Sequence, residues 1–505
     1  MIFKNKTFSD KGRVSETLES FSIILCLFCF IMPAVFLSAQ SPWEEHGSLK
    51  AEKHYLVYDD GTPFFYMGDT NWAFLMGATR EDAVKLIENR RKKGFTVLQT
   101  VLTGVYLKRE EVVPKPNVYG DFPFENFNIS TPKTTPGSDF NNEDQYDYWD
   151  HVDFIVSEAE SKGIYLGLLL GWDKLYLNGM INVDNARDYA RWVGERYKDS
   201  PNIIWILGGD TRPNSESAQA VFEEMAIGLK EGDQGNHLMT FHSNGGTSSS
   251  QWFHNKDWLD FNMLQTGHAA YDLPNHEKIS ADYLLQPVKP TMDGESRYED
   301  HSVNWNPENG WFNDFDVRQG AYWSLFAGAL GHTYGTRGVW QMYRPGIDKR
   351  GPLTNYWYDA MDLPGGEDMK HVRDLIFSRD ILSRIPDQSL VKETYSKADY
   401  IQATRGKGYA FIYVPTGKNF KVNLKTLGAK SMVHAWWYNP RDGLCYDSKG
   451  KRIDMPFKII KASKNSVKFN PPGSPERGND WVLVLDDSSF EYAAPGKEDI
   501  HIHSK

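Results

Sequence analysis

One apolar, strand-like run, "IIWILGGD", residues 203–210, ends on an acid, and a second segment, "TMDGES", residues 291–296, puts Asp293 and Glu295 at the end of another candidate strand. A run of this kind reads as a strand buried on both faces, where an unpaired carboxylate is costly. Asp210 and Glu295 are therefore candidates for a shared task. Hydrolysis of a glycosidic bond asks for such a pair: one carboxyl delivers a proton to the leaving oxygen while the other stays ionised to attack or stabilise the sugar cation. Mutual repulsion and partial burial would raise the pKa of one member and so separate the roles. Each acid also has a plainer use. Asp210 could cap the helix entered through "DTRPNSES", although Asn214 and Ser215 are better placed. Glu295 could pair with Arg297.

The elements that must bring these acids together show in the periodicity. From Phe64 onward, short runs rich in β-branched and aromatic residues alternate with stretches of helical spacing, which predicts repeated β-α units around a parallel sheet. Candidate strands cover 64–68, 95–102, 164–172, 203–208, 238–242, 261–266, 290–293 and 332–340. The stripe Tyr146, Trp149, Val152, Ile155, Val156 and Ala159 marks one intervening helix, and Thr79 before Arg80, Glu81 and Asp82 marks the start of another. Such a run of strands, without a Gly-rich dinucleotide fingerprint, predicts a (β/α)8 TIM barrel. Strand ends converge at the C-terminal mouth of a barrel, and the fourth and seventh face each other obliquely across it. That placement predicts carboxyls about 5–5.5 Å apart, the spacing of a retaining enzyme.

Other strand ends add Asp69 and Trp72 after the first, Trp172 after the third and His242 after the fifth. Gln265 and His268 follow the sixth, and Trp340 the eighth. Rings that stack on apolar sugar faces and polar groups that read hydroxyls suit a carbohydrate. Singly, each aromatic fits a core equally well, and each histidine a structural donor. The loop 103–144, rich in Pro, Asn, Gly and Phe, is expected on the rim, where specificity diverges.

The chain has 505 residues, room for a large barrel and a smaller module. Lys4, Lys6, Lys11 and Arg13 precede an apolar run at 21–36 and then Leu37, Ser38 and Ala39, which predicts a secretory signal cut after Ala39; an uncleaved anchor is the alternative. The expected divisions are a signal peptide at 1–39, the barrel at 40–385, an all-β sandwich at 386–490 and a flexible tail at 491–505. Strand-like runs at 401–414, 421–424, 432–438 and 481–485 define the sandwich. An exported location follows, with no membrane insertion once the signal is removed. Cys445 alone remains outside the signal, so neither a disulfide framework nor a thiolate metal site is expected. A net charge of −11 argues against nucleic acid as a partner.

Together "DDGTPFFYMGDTNW", "IIWILGGD", "TMDGES" and "AWWYNPRDG" resemble the apiosidase-like family, glycoside hydrolase family 140. The resemblance runs from about Trp43 to Asp486. It implies a (β/α)8 catalytic barrel followed by a C-terminal β-domain that carries a collagen-binding label. It also implies an endo-apiosidase that cuts apiose from galacturonic acid in the pectin rhamnogalacturonan II, a plant cell-wall polysaccharide, with no cofactor. On the matching positions it implies Asp210 as acid/base and Glu295 as nucleophile, with Asp69 and Trp72 lining the sugar subsite. The residues leave other readings open. These are a barrel glycosidase of different sugar specificity, a non-catalytic carbohydrate- or matrix-binding protein, and a metal-dependent hydrolase using His242 and His268. No metal is expected, because barrels of the last kind open with a His-x-His where this chain has "GDTNW".

Overall fold

The computed structural model describes residues 41–104, 114–347, 349–393 and 395–497. The expected signal at 1–39, part of the rim loop (105–113) and the end of the tail (498–505) lie outside the described residues. Eight strands form the barrel: β1 (Tyr66–Thr70), β2 (Val97–Val101), β3 (Tyr165–Leu169), β4 (Ile203–Thr211), β5 (Met239–Ser243), β6 (Asn262–Gln265), β7 (Thr291–Glu295) and β8 (Gly331–Tyr334). Parallel ladders run β5-β4-β3-β2-β1-β8-β7-β6. Side chains help close the remaining gap. Met239 N–H donates to the Asp260 carboxylate at 2.6 Å, and Thr240 Oγ1 donates to the Phe261 carbonyl at 2.7 Å.

Local sequence explains where the helices begin. Thr79 accepts from the Asp82 N–H while the Asp82 carboxylate accepts from the Thr79 N–H, a capping box that starts Arg80–Lys92. Ser215 caps Glu216–Asp233, so Asp210 is free of that duty. Ahead of the barrel lies a three-stranded antiparallel sheet, Leu49–Glu52, Tyr55–Tyr58 and Pro63–Phe64, which the periodicity did not announce. Phe64 belongs to it and packs edge-on against Tyr165 at the start of β3, with ring centres 5.1 Å apart. The eighth strand is shorter than expected. β8 ends at Tyr334, Thr336 caps a new helix, and Trp340 closes that helix, Arg337–Trp340.

After Ser383 the chain builds an antiparallel sheet around Tyr409–Val414, Met432–Asn439 and Trp481–Asp487, and Phe420–Val422 pairs separately with Val467–Phe469. The expected run 401–414 is a hairpin, Gln402–Gly406 and Tyr409–Val414. Successive residues of a strand face opposite ways, and the tryptophan pair shows it. Trp437 is buried with Phe420 and Phe469 inside this lobe, while Trp436 packs in the cluster shared with the barrel.

The helix Asp314–Phe326 lies in the seam and is buried along its length after Asp314. There Arg318 donates to Asp480 through Nε and Nη2, both at 3.1 Å, and through Nη1 to Asp368 at 2.6 Å. Arg379 binds both oxygens of Asp486 at 2.8 Å. No described helix is long and apolar enough to cross a membrane.

Candidate active site

Both acids stand at irregularities in their strands. On the β4–β5 ladder Gly208 pairs with His242 and Thr211 with Ser243, so Gly209 and Asp210 bulge out between them. Gly208, Gly209 and Asp210 have φ of 87°, 100° and 52°, three successive left-handed residues. A Cβ on Gly208 would meet the His242 carbonyl oxygen at 2.4 Å, so the glycine is required there. The bulge turns Asp210 out of the strand and into the mouth of the barrel. On the β6–β7 ladder Leu264 pairs with Asp293 and Gln265 with Glu295, which leaves Gly294 as an extra residue beside the second acid.

The two carboxylates and one imidazole converge. Asp210, His242 and Glu295 each place a donor atom within 4.8 Å of the others. The Asp210 N–H donates to His242 Nδ1 at 3.4 Å, which leaves the His242 Nε2–H to face Glu295 Oε2 at 3.2 Å. The other oxygen, Oε1, meets His268 Nε2 at 2.9 Å. His268 is itself stacked between Tyr298 and His301, with ring centres 4.3 and 4.5 Å away. Asp210, Glu295 and His242 are also the residues placed to share a cation, although both Glu295 oxygens already face imidazoles.

The surroundings split the two acids. Burial, and then the negative charge of Glu295, pushes the Asp210 carboxyl up to about 7. Its Oδ1 is buried without a hydrogen-bond partner among the described residues. Burial would also raise Glu295, but the close His242 imidazole and the hydrogen bond from His268 outweigh it and hold this carboxyl far below the usual range. One acid is thus kept protonated near neutrality while its neighbour is ionised.

A small pocket of about 30 Å³ opens over the pair, lined by Trp72, Trp172, His268, Tyr298, Trp305, Trp340 and Arg350. Trp72 and Trp172 stand 5.0 Å apart, and the Trp72 indole N–H donates to the Tyr298 hydroxyl at 3.0 Å. Burial, followed by the charge of Glu295, keeps the Tyr298 phenol well above its ordinary value, so it remains a donor.

Of the residues singled out in the sequence, the structure brings Asp210, Glu295, Trp72, Trp172, His268 and Trp340 to this pocket; His242 stands behind it, against both acids. Trp340 arrives from its short helix rather than from the end of a strand. Asp69 lies apart from the pocket lining. It is fully buried, and Arg90 Nε reaches its Oδ2 at 2.6 Å and Asn71 Nδ2 at 3.1 Å, an ion pair that ties β1 to its helix. Gln265 is likewise buried outside the lining. Arg297 turns away from Glu295 to the carbonyls of Leu273 and Asp316. Tyr298, Trp305 and Arg350 escaped the sequence reading. Only Tyr298, three residues beyond Glu295 in the same segment, carried a positional signal.

The sequence matches the family described as "Apiosidase-like, catalytic domain" over residues 50–383, more than half of the chain. Residues 385–486 match "Putative collagen-binding domain of a collagenase". No curated protein matches. One similar solved structure, described as "Glycoside hydrolase", is 33% identical with a TM-score of 0.79, covering 89% of this chain and 99% of its own. A second, a glycoside hydrolase family 5 protein from Bacteroides vulgatus ATCC 8482, is 31% identical with a TM-score of 0.81, covering 91% and 97%.

Proposed function

This chain belongs to the apiosidase-like family of glycoside hydrolases, and from that membership we propose that it is an exported, retaining endo-apiosidase. Its substrate is rhamnogalacturonan II of the plant cell wall, cut between apiose and galacturonic acid. The observation that carries the reading is the meeting of Asp210 and Glu295 oxygens within 4.8 Å, with pKa values displaced in opposite directions. That closeness supports retention, since an inverting pair stands about 6.5–9.5 Å apart to admit a water.

In the first step Glu295, ionised between its two imidazoles, attacks the anomeric carbon as Asp210 gives its proton to the glycosidic oxygen. The leaving sugar departs as an alcohol and a glycosyl ester forms on Glu295. Esterification removes the negative charge that raises Asp210, so the now ionised Asp210 is stabilised as a base. It takes a proton from water as that water attacks the same carbon, and Glu295 is released as carboxylate. Two inversions restore the starting configuration. No step needs a metal, so a chelator is expected to leave the rate unchanged.

Incubation of the wild type, Asp210→Asn and Glu295→Gln with a panel of pectic fragments tests the reading. The expected result is release of oligosaccharides with apiose at the reducing end by the wild type alone. Cleavage of other glycans with rhamnogalacturonan II untouched would contradict the substrate, and full activity in either variant would contradict the roles. Export is tested by sequencing the N-terminus of the secreted protein, expected to begin at Gln40.

A further inference from the structure

The rim of the pocket carries positive charge that no described acid neutralises. Arg350 lines the pocket, its guanidinium carbon 5.1 Å from the centre of the Trp305 ring; that of Arg337 lies 4.4 Å from the same ring. Arg337 is fully buried, and its Nε and Nη1 have no partner among the described residues. Its Nη2 donates to the Arg350 carbonyl at 2.5 Å. The acid nearest in effect to Arg337, Asp300, is engaged by Thr354 and, at 2.9 Å, by Asn355. Neither guanidinium forms an ion pair among the described residues. Trp305 is delivered by two successive left-handed residues, Asn304 and Trp305, with φ of 52° and 63°, and the Asn304 N–H is anchored on the His268 carbonyl at 2.7 Å. Strained backbone of this kind persists where its surroundings enforce it, often at ligand clamps.

Two like charges over one indole repel each other until an anion joins them. The chain is otherwise acidic, at −11, and the pocket floor holds an ionised carboxylate, so an anionic sugar would be turned away without a local reversal of sign. We propose that Arg350, backed by Trp305 and Arg337, forms an anion subsite that takes the carboxylate of a uronic acid on the leaving-group side of the scissile bond. The inference rests on the glycosidase reading above and adds the group that reads the charge. A guanidinium fork meets a carboxylate through two parallel hydrogen bonds, and Arg350 is exposed enough to turn towards one. Arg337 is a positioning residue: it fixes the Arg350 carbonyl and one face of Trp305.

The test compares kcat/KM for rhamnogalacturonan II fragments with free uronates against the same fragments after methyl esterification. The wild type should prefer the acid. Arg350→Gln should cut that preference roughly tenfold or more, the worth of a charge-assisted contact, and Arg350→Lys should restore part of it. Calorimetry with D-galacturonate and its methyl ester on the full chain carrying Glu295→Gln supplies a readout that needs no cleavage. Only the acid should bind, and adding Arg350→Gln should abolish the heat. An equal loss on acid and ester, with the pH profile displaced for both, would overturn the proposal and leave Arg350 acting through Asp210 alone. Equal binding of acid and ester, or no binding of either, would overturn it as well. If rhamnogalacturonan II is not cut but galacturonate binds through Arg350, the linkage reading fails and the subsite stands. If it is cut with the same acid preference in Arg350→Gln, the subsite fails and the linkage reading stands.

Discussion

At the seam between the barrel and the C-terminal sheet, Arg318 stands among Asp314, Asp368 and Asp480, and Arg379 grips Asp486 with two hydrogen bonds. In the barrel mouth Glu295 lies between two histidines, and Asp210 keeps a buried oxygen without a partner. Both regions take several charges out of water. The seam meets them with guanidinium groups that never give up their charge, and the result is a fixed joint. The mouth meets them with imidazoles on Glu295 alone and leaves Asp210 beside a second carboxylate, an acid that can give and take a proton during a reaction. The residual imbalance is destabilising for the fold and is the source of the split that acid–base chemistry requires.

The largest expected effect separates the two regions by rate. Glu295→Gln should lower kcat by about 10⁴-fold or more, as loss of a nucleophile does, and Asp210→Asn by about 10²- to 10⁴-fold on substrates with a poor leaving group. Arg318→Met should leave the rate of the folded enzyme within a few-fold. A seam substitution as damaging to initial rates as Glu295→Gln would erase the contrast.

Next comes stability. Arg318→Met strands buried carboxylates at the seam and should cost about 3–5 kcal/mol, read from urea unfolding. A loss below 1 kcal/mol would mean that the joint is not held by these pairs.

A smaller effect of opposite sign is expected in the mouth. The folded protein raises the Asp210 pKa, so ionising it costs the folded state what the unfolded chain does not feel. Asp210→Asn should therefore gain nothing below roughly pH 4, where the acid is protonated in both states. The gain should grow as pH rises towards 7 and level off above it. Thermal melts of the pair across that range give the sign. The same group sets the alkaline limb of kcat/KM near pH 7, while Glu295, held low, places the acidic limb below the ordinary carboxylate range.

The smallest effect lies where the lobes meet the rim. Arg477 pairs with Asp272 at 2.8 Å and also with Asp316, close to the loop that carries His268, but it is 38% exposed. Arg477→Ala should cost about 0.5–1 kcal/mol, with faster amide exchange at residues 268–274.

Much of this was legible in the letters, and the limits have physical causes. Uninterrupted apolar runs announce strands buried on both faces, so the barrel and the two acids at its strand ends could be read directly. The bulge that aims Asp210 showed as its two glycines, but the left-handed turn at Asp210 itself leaves no trace in composition. Asp69 has the same look as Asp210 in sequence. What separates them is Arg90, one helix further on, whose guanidinium pairs with the first, while no guanidinium among the described residues forms an ion pair with the second. Trp305 and Arg350 reach the pocket from irregular segments, where no period exists to reveal which way a side chain points. The β-hairpin within 401–414 was missed because its turn, at Lys407 and Gly408, is too brief to break an apolar pattern.

The split between the two acids is open to direct observation by carboxyl ¹³C NMR on aspartate- and glutamate-labelled enzyme, with Asp210→Asn and Glu295→Gln supplying the assignments. Asp210 should titrate near pH 7, and Glu295 should stay ionised to well below the usual carboxylate range. Two carboxyls titrating together near pH 4, or Glu295 as the one that holds its proton, would contradict the account.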